Sequence, residues 1–209
     1  MPPDSKTVVA YLARHGRTSL NASGKFRGNA DPHLDPTGVK EAHKLAEFFE
    51  PIEISYIFCS DKHRAVQTAD IVAKTKKIKV HQVENLRALD VGDFSGTDRT
   101  PESEAKLQTY LDDPDTPIPG GESLNQFKQR ILPCIQEAVD LFCDCGVPPL
   151  VVVHSSVIHE IGSLTASNHK AVLVEPGGVV AVHFSGGKLK AEPILKPVKQ
   201  TGTQAETIT

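Results

Sequence analysis

The chain has 209 residues, 39% of them hydrophobic and 23% charged, and its 23 basic and 26 acidic side chains give a formal net charge of −3. That length fits one full-sized domain with a sizeable core, and the composition is that of a soluble globular protein. Mild acidity without a lysine-rich tract argues against sequence-independent nucleic-acid binding, and no apolar run approaches the roughly 20 residues that span a bilayer.

The opening Met1-Pro2-Pro3-Asp4-Ser5-Lys6 has neither the basic start nor the apolar stretch of a signal peptide. Cys59, Cys134, Cys143 and Cys145 follow no disulfide framework and no metal-ligand spacing, which predicts four reduced, structural thiols. These features predict a cytoplasmic protein that engages neither membrane nor nucleic acid.

In chain order, Val8 to Ala13 form a continuous apolar run, the mark of a strand covered on both faces. Asp35-Pro36 is a helix start signal, and Val39, Ala42, Leu45, Ala46 and Phe49 then recur at helical spacing. Tyr56 to Cys59 read as a second buried strand, Ala65 to Ala73 as a helix, and Ile78-Lys79-Val80 as a third strand. A long helix is predicted from Ser123 to about Asp144, kinked at Pro133. Leu150 to Val153 is a strand, with a helix from Ser155 to about Ala166 behind it. Runs 179–184 and 189–195 read as a terminal hairpin. The alternation predicts an α/β fold, a three-layer α/β/α sandwich with a mainly parallel sheet, as one domain over 1–195 with a flexible tail over 196–209.

Three strand ends carry chemistry. Arg14-His15-Gly16 follows the first strand, Arg64 sits in the first turn of the helix after the second, and His154 follows Val153. Ligands of open α/β sheets bind at the carboxyl edge of the strands. There His15 offers a nucleophilic imidazole, Arg14 and Arg64 offer planar forks for a phosphate, and a helix N-terminus favours an anion. Three such ends converge on one pocket only if their strands are neighbours.

In these segments the chain resembles the histidine phosphatase superfamily, the phosphoglycerate mutases and related phosphatases. The resemblance runs from about Val8 to Phe184. It rests on Arg14-His15-Gly16 with Thr18 and Asn21; Phe26-x-Gly28-x-x-Asp31-x-x-Leu34-x-x-x-Gly38; and Ser60-x-x-x-Arg64-Ala65-x-Gln67-Thr68-Ala69. Leu86-Arg87 with Gly92-Asp93-Phe94-Ser95-Gly96, Pro119-Gly120-Gly121-Glu122-Ser123, and Val152-Val153-His154 complete it in order. The resemblance implies a phosphoglycerate mutase-like fold, His15 as the nucleophile that becomes a phosphohistidine, and Arg14, Arg64, His154 and Asn21 as the phosphate pocket. Cationic donors around a neutral imidazole can offset the charge on the phosphoryl oxygens, so neither metal nor cofactor is expected.

The chain departs from the family pattern at the proton donor. Many members carry Glu after the Leu-Arg of the fourth segment, where this chain has Ala88. Asp90, two residues on, would share a face with position 88 in an extended segment and is the candidate general acid; Asp93 and Glu122 are its rivals. Ser155 and Ser156 follow His154, where many relatives have glycine directly after the histidine, and stand as helix caps or phosphate ligands. Lys25 and Arg27 are rim candidates for a second anionic group or solvated loop charges, and Glu122 and Ser155 are further rim candidates.

The expected function is a metal-independent phosphomonoester phosphatase acting on a small phosphorylated substrate, as a monomer or homodimer. The stretch 93–123 is short and proline-interrupted, which favours an open pocket and hydrolysis over a phosphomutase. Ala88 keeps a third reading in play, a phospho-ligand binding regulatory protein with weak turnover.

Overall fold

The computed structural model describes residues 7–21, 23–27, 30–165, 172–185 and 188–195. The predicted tail over 196–209, Gly28 of the second motif and Ala166 lie outside the described residues.

Strand β1 (Val8–Arg14) is buried on both faces because its residues alternate between two cores. Leu12 joins Phe127, Ile131, Val151 and Ile158 on one side, while Tyr11 and Ala13 join Leu45, Phe49 and Ala69 on the other. Strands β2 (Ile57–Ser60), β3 (Val80–Val83), β4 (Leu150–Val153), β5 (Val179–Ser185) and β6 (Lys188–Leu195) complete one sheet in the order β3-β2-β4-β1-β5-β6. β1, β2, β3 and β4 run parallel, and β5 and β6 add antiparallel pairings at one side.

Helices α1 (Pro36–Phe49) and α2 (His63–Lys76) cover one face. Helices α4 (Leu124–Cys145) and α5 (Ser155–Thr165) cover the other, which makes the three layers. Asp35 caps α1 through the N–H groups of Thr37 and Gly38, with Pro36 in the first turn. Ser123 and Gln126 form a capping box on α4, which then runs uninterrupted through the exposed Pro133 to Gly146, a left-handed cap. The four cysteines are unpaired.

Two elements differ from the sequence reading. Ile78 and Lys79 belong to the exit from α2, where Lys77 turns left-handed and the Ile78 N–H reaches back to the Ala73 carbonyl, so β3 begins only at Val80. The stretch expected to be open contains helix α3 (Pro101–Asp112), started by a Thr100–Ser103 capping box with Pro101 in the first turn. Leu107 is its one buried residue, and it joins Phe26, Phe94 and Ile118 in a small third core above the sheet edge.

Candidate active site

The register of β2, β4 and β1 builds the site. Arg14 pairs with Val153, and Cys59 pairs with Val152, so three neighbouring parallel strands end level with one another. The next residues out are His15, Asp61 and His154, and the His15 N–H donates to the Val153 carbonyl at 3.0 Å. Arg64 follows one short turn later, in the first turn of α2. The loop before β5 meets the same edge, where the Arg14 N–H donates to Gly178 and the Gly177 N–H to Arg14.

His15, Arg64 and His154 are 1%, 2% and 2% exposed, although each carries polar atoms that need partners. His15 Nδ1 lies 2.7 Å from the Gly16 carbonyl. A carbonyl only accepts, so Nδ1 carries the proton and Nε2 carries the lone pair of the neutral ring. Arg64 Nε donates to that Nε2 at 3.2 Å, and Arg64 Nη1 donates to the Ala30 carbonyl. The His154 ring stands edge-on to His15 with centroids 5.1 Å apart, and neither of its nitrogens has a hydrogen-bond partner among the described residues. Arg14 Nη1 is held by the Val174 carbonyl at 2.7 Å, while its Nε is buried and likewise unpartnered.

The electrostatics follow from this crowding. Burial, then the Arg64 charge, holds His15 well below its ordinary pKa, and burial with Arg64 does the same to His154. Both imidazoles are therefore neutral at neutral pH. Arg14 and Arg64 fall to about 10, chiefly by burial and then by repulsion from Arg27, and both stay charged. Buried cations, neutral imidazoles and orphaned donors at a sheet edge form a site suited to a doubly charged oxyanion.

The loop after the nucleophile is fixed by backbone approach. A methyl on Gly16 would lie 2.4 Å from the Gly38 carbonyl oxygen, and one on Gly38 would lie 2.0 Å from that of Arg17. Thr68 locks the same loop to α2: its Oγ1 accepts the Gly16 N–H at 3.1 Å and donates to the Arg64 carbonyl. Asn21 belongs to this support. Its carboxamide oxygen takes both the N–H and the hydroxyl of Thr18, and it does not line the cavity.

His15, Arg64 and His154 open into a cavity of about 570 Å³. Arg27 lines it, with Nη1 buried and unpartnered, so it belongs to the pocket and is no solvated loop charge. Lys25 does not line it; its exposed ammonium lies 3.7 Å from Asp98. Ser155 and Ser156 line the cavity, and Ser156 Oγ accepts the Leu89 N–H instead of capping α5.

The segment expected to supply the acid is pinned from two sides. Arg87 forks onto Asp61, whose carboxyl it holds below the usual range. Arg130 donates to the carbonyls of Asn85, Arg87 and Ala88 and ion-pairs with Glu122 at 2.5 Å. Glu122 in turn accepts the Asp90 N–H at 2.9 Å, so it clamps this segment and does not line the cavity. Held this way, the segment presents Ala88, Leu89 and Val91 to the cavity. Asp90, expected to share the face of Ala88, accepts the Gly92 N–H at 3.0 Å and is not a lining residue, because the chain turns at Gly92 and does not continue extended. Asp93 lies on a separate surface depression beside α3.

Several lining residues are not signalled by the motifs. Arg99 covers the Phe26 ring at 4.8 Å, Leu107, Gln108 and Leu111 of α3 form a wall, and Lys128 comes from α4. His159, Glu160 and Ser163 extend along α5 the stripe begun by Ser155 and Ser156, which the sequence had singled out. Glu160, a charge set among Val157, Ile158 and Ile161, was the one visible anomaly in that sequence. Among the described residues no group of three or more His, Cys, Asp or Glu is placed to hold a metal ion, and no helix is long and apolar enough to cross a membrane.

Residues 10–192 match the model of the histidine phosphatase superfamily (branch 1). The chain is 33% identical to phosphoglycerate mutase-like protein 4 of Arabidopsis thaliana over 157 residues, 72% of this chain and 67% of that one. It is 26% identical to putative phosphoserine phosphatase 2 of Hydrogenobacter thermophilus over 186 residues, 85% and 90% of the two chains. The crystal structure of a phosphoglycerate mutase from Bacillus anthracis superposes with a TM-score of 0.73 at 28% identity, covering 88% of this chain and 92% of that one.

Proposed function

The chain belongs to the histidine phosphatase superfamily, and from that premise we propose that it is a phosphomonoester phosphatase working through a phosphohistidine on His15. The observation that carries this reading is the state of His15. The ring is neutral, is oriented by the Gly16 carbonyl at Nδ1, and directs its Nε2 lone pair to a site bounded by Arg64 and His154.

On this reading Nε2 attacks phosphorus, the ester P–O bond breaks, and the electron pair leaves with the alcohol oxygen, which takes a proton from water. Arg64 and Arg27, which line the cavity, offset the charge on the equatorial oxygens, with the charge of Arg14 near enough to act on His15, and the single N–H of neutral His154 donates to one of those oxygens. The Gly16 carbonyl stabilises the positive ring of the phosphohistidine. Water then attacks phosphorus, giving up a proton that neutralises the hydroxide left by the first step, the P–N bond breaks with its electron pair returning to Nε2, and phosphate leaves with His15 neutral again. The donors need no metal to do this.

A second reading, a phosphomutase, is favoured by α3. That helix walls the cavity where an open pocket was expected, and a walled cavity can retain a product while it reorients. Both readings share the first half-reaction.

The test is turnover of nitrophenyl phosphate by purified protein with chelator and with vanadate. The phosphatase reading expects activity that chelators leave unchanged and vanadate inhibits. Activity lost on chelation and restored by a divalent metal would contradict it. Interconversion of monophosphoglycerates primed by bisphosphoglycerate, with little phosphate released, would establish the mutase instead.

A further inference from the structure

On the wall of the same cavity, Lys128 of α4 and Glu160 of α5 face each other. The Glu160 side chain is 7% exposed and the Lys128 side chain 28%. Lys128 Nζ approaches Glu160 Oε1 to 3.2 Å without hydrogen-bond geometry, which leaves that buried oxygen with no hydrogen bond among the described residues. Among the described residues lining the cavity, Glu160 is the one carboxylate. A pair with a buried carboxylate and a half-buried ammonium adds little stability, because the loss of hydration offsets the attraction, so its place on the cavity wall calls for another explanation.

The dimensions supply one. Glu160 is five residues along α5 from Ser155, about 7.5 Å at 1.5 Å per residue. The lining also includes the apolar side chains of Phe26, Leu89, Leu107, Leu111, Leu124 and Phe127. A cavity of about 570 Å³ is much larger than a three-carbon phosphate needs and lies in the range that encloses an extended organic molecule.

We propose that Lys128 and Glu160 form the specificity element of this cavity, and that its substrates are phosphomonoesters of alcohols with an apolar, aromatic-sized body and a hydrogen-bond-donating head, an ammonium or a hydroxyl, which Glu160 accepts. This rests on the reading that the His15 end takes the phosphate. The head supplies the hydrogen bond that Glu160 Oε1 lacks, and Lys128 keeps the site near neutrality, so that a hydroxyl and an ammonium can both be taken.

Three phenolic phosphates of nearly equal shape test it: those of tyramine, tyrosol and para-propylphenol, whose side chains end in ammonium, hydroxyl and methyl. The expected result is a kcat/KM for the tyramine or tyrosol ester at least about tenfold above that of the propyl ester, the range of one hydrogen bond to a charged group. In the Lys128→Met/Glu160→Leu double variant, which removes the pair without stranding a buried charge, the three should come within about twofold. A thermal melt shows that each protein is folded, and Lys128→Met/Glu160→Met, which also removes the acceptor, gives the same comparison if the first double variant does not fold. Near-equal values in the unaltered protein, or a preference that survives both variants, would overturn the proposal. Kd values for the same esters on His15→Ala protein read the preference without turnover. A Kd preference lost in the variants would uphold the specificity element even if nothing were hydrolysed, a result that would count against the phosphatase reading alone.

Discussion

Arg64 Nε sits 3.2 Å from His15 Nε2, so the guanidinium that should bind phosphate already contacts the lone pair that should attack phosphorus. An arriving phosphoryl group offers Arg64 three charged oxygens in exchange for one neutral nitrogen, and the exchange frees Nε2 as the substrate enters. Arg64→Ala should therefore lower kcat/KM for nitrophenyl phosphate by about 10²–10³-fold, the usual range for an oxyanion donor. Arg64→Lys should recover little of this, because a point charge cannot hold the Ala30 carbonyl and the phosphate in one plane. Recovery to within a fewfold by lysine would show that only the charge matters.

The two buried imidazoles make stability depend on pH in a defined direction. His15 and His154 have pKa values well below 6.5 in the folded protein and regain the ordinary value on unfolding. Below pH 6.5 the unfolded chain therefore binds protons that the folded chain excludes, and stability falls as pH falls until the folded-state values are reached. Each histidine contributes a slope of about 1.4 kcal/mol per pH unit within that window. Denaturant titrations between pH 7.5 and 5 should show this decline, reduced in the His154→Ala variant, with a flat response above about pH 7.5 from these two groups. An unchanged slope in that variant would mean that His154 is charged or accessible in the folded state.

Position 88 should accept the missing acid. Ala88 lines the cavity on a backbone held by Arg130, so Ala88→Glu should place a carboxyl in the cavity, at the position where the resemblance implies the family's acid. Phosphorylation of the enzyme by alkyl phosphates should rise by about 10–10²-fold, with a much smaller gain for nitrophenyl phosphate, whose leaving group needs little protonation. Asp90→Asn should lower both substrates to a similar, modest extent, because Asp90 acts through the Gly92 turn. A selective loss on alkyl phosphates in Asp90→Asn would return the acid role to Asp90.

The Gly16–Gly38 approach gives a structural prediction. A methyl on Gly38 would lie 2.0 Å from the Arg17 carbonyl oxygen, so backbone must move. Gly38→Ala should destabilise the protein by about 1–3 kcal/mol. Displacing the loop after His15 should also lower kcat more than KM rises. A variant with wild-type stability would show that the two segments separate easily.

The sequence made the sheet legible wherever a strand was buried on both faces, as in β1 and β4, and made the helices legible wherever an apolar stripe or a cap was strong, as at Asp35 and Ser123. β3 is an edge strand with exposed residues at His81 and Gln82, so Ile78 looked more strand-like than the strand itself. α3 buries only Leu107 and its large apolar side chains are confined to one turn, Leu107, Tyr110 and Leu111; its signal was the Thr100-Pro101 start. At the site, His15, Arg64 and His154 were legible because each ends a strand or opens a helix. Arg27 was legible as a rim candidate, whereas Arg99, Lys128 and Glu160 come from separate loops and helix faces that only packing brings to one cavity. The placement of Asp90 turned on a bend at Gly92 that two-residue alternation does not express.

The most direct measurement of the central claim is to trap the phosphoryl group on the protein. Brief incubation with a phosphorylated substrate, quenching in base and peptide mass spectrometry should locate an acid-labile, base-stable phosphate on His15, absent from the His15→Ala protein, which should still fold and show no turnover. Turnover or labelling that persists in His15→Ala, or a phosphate found on another side chain, would contradict the account.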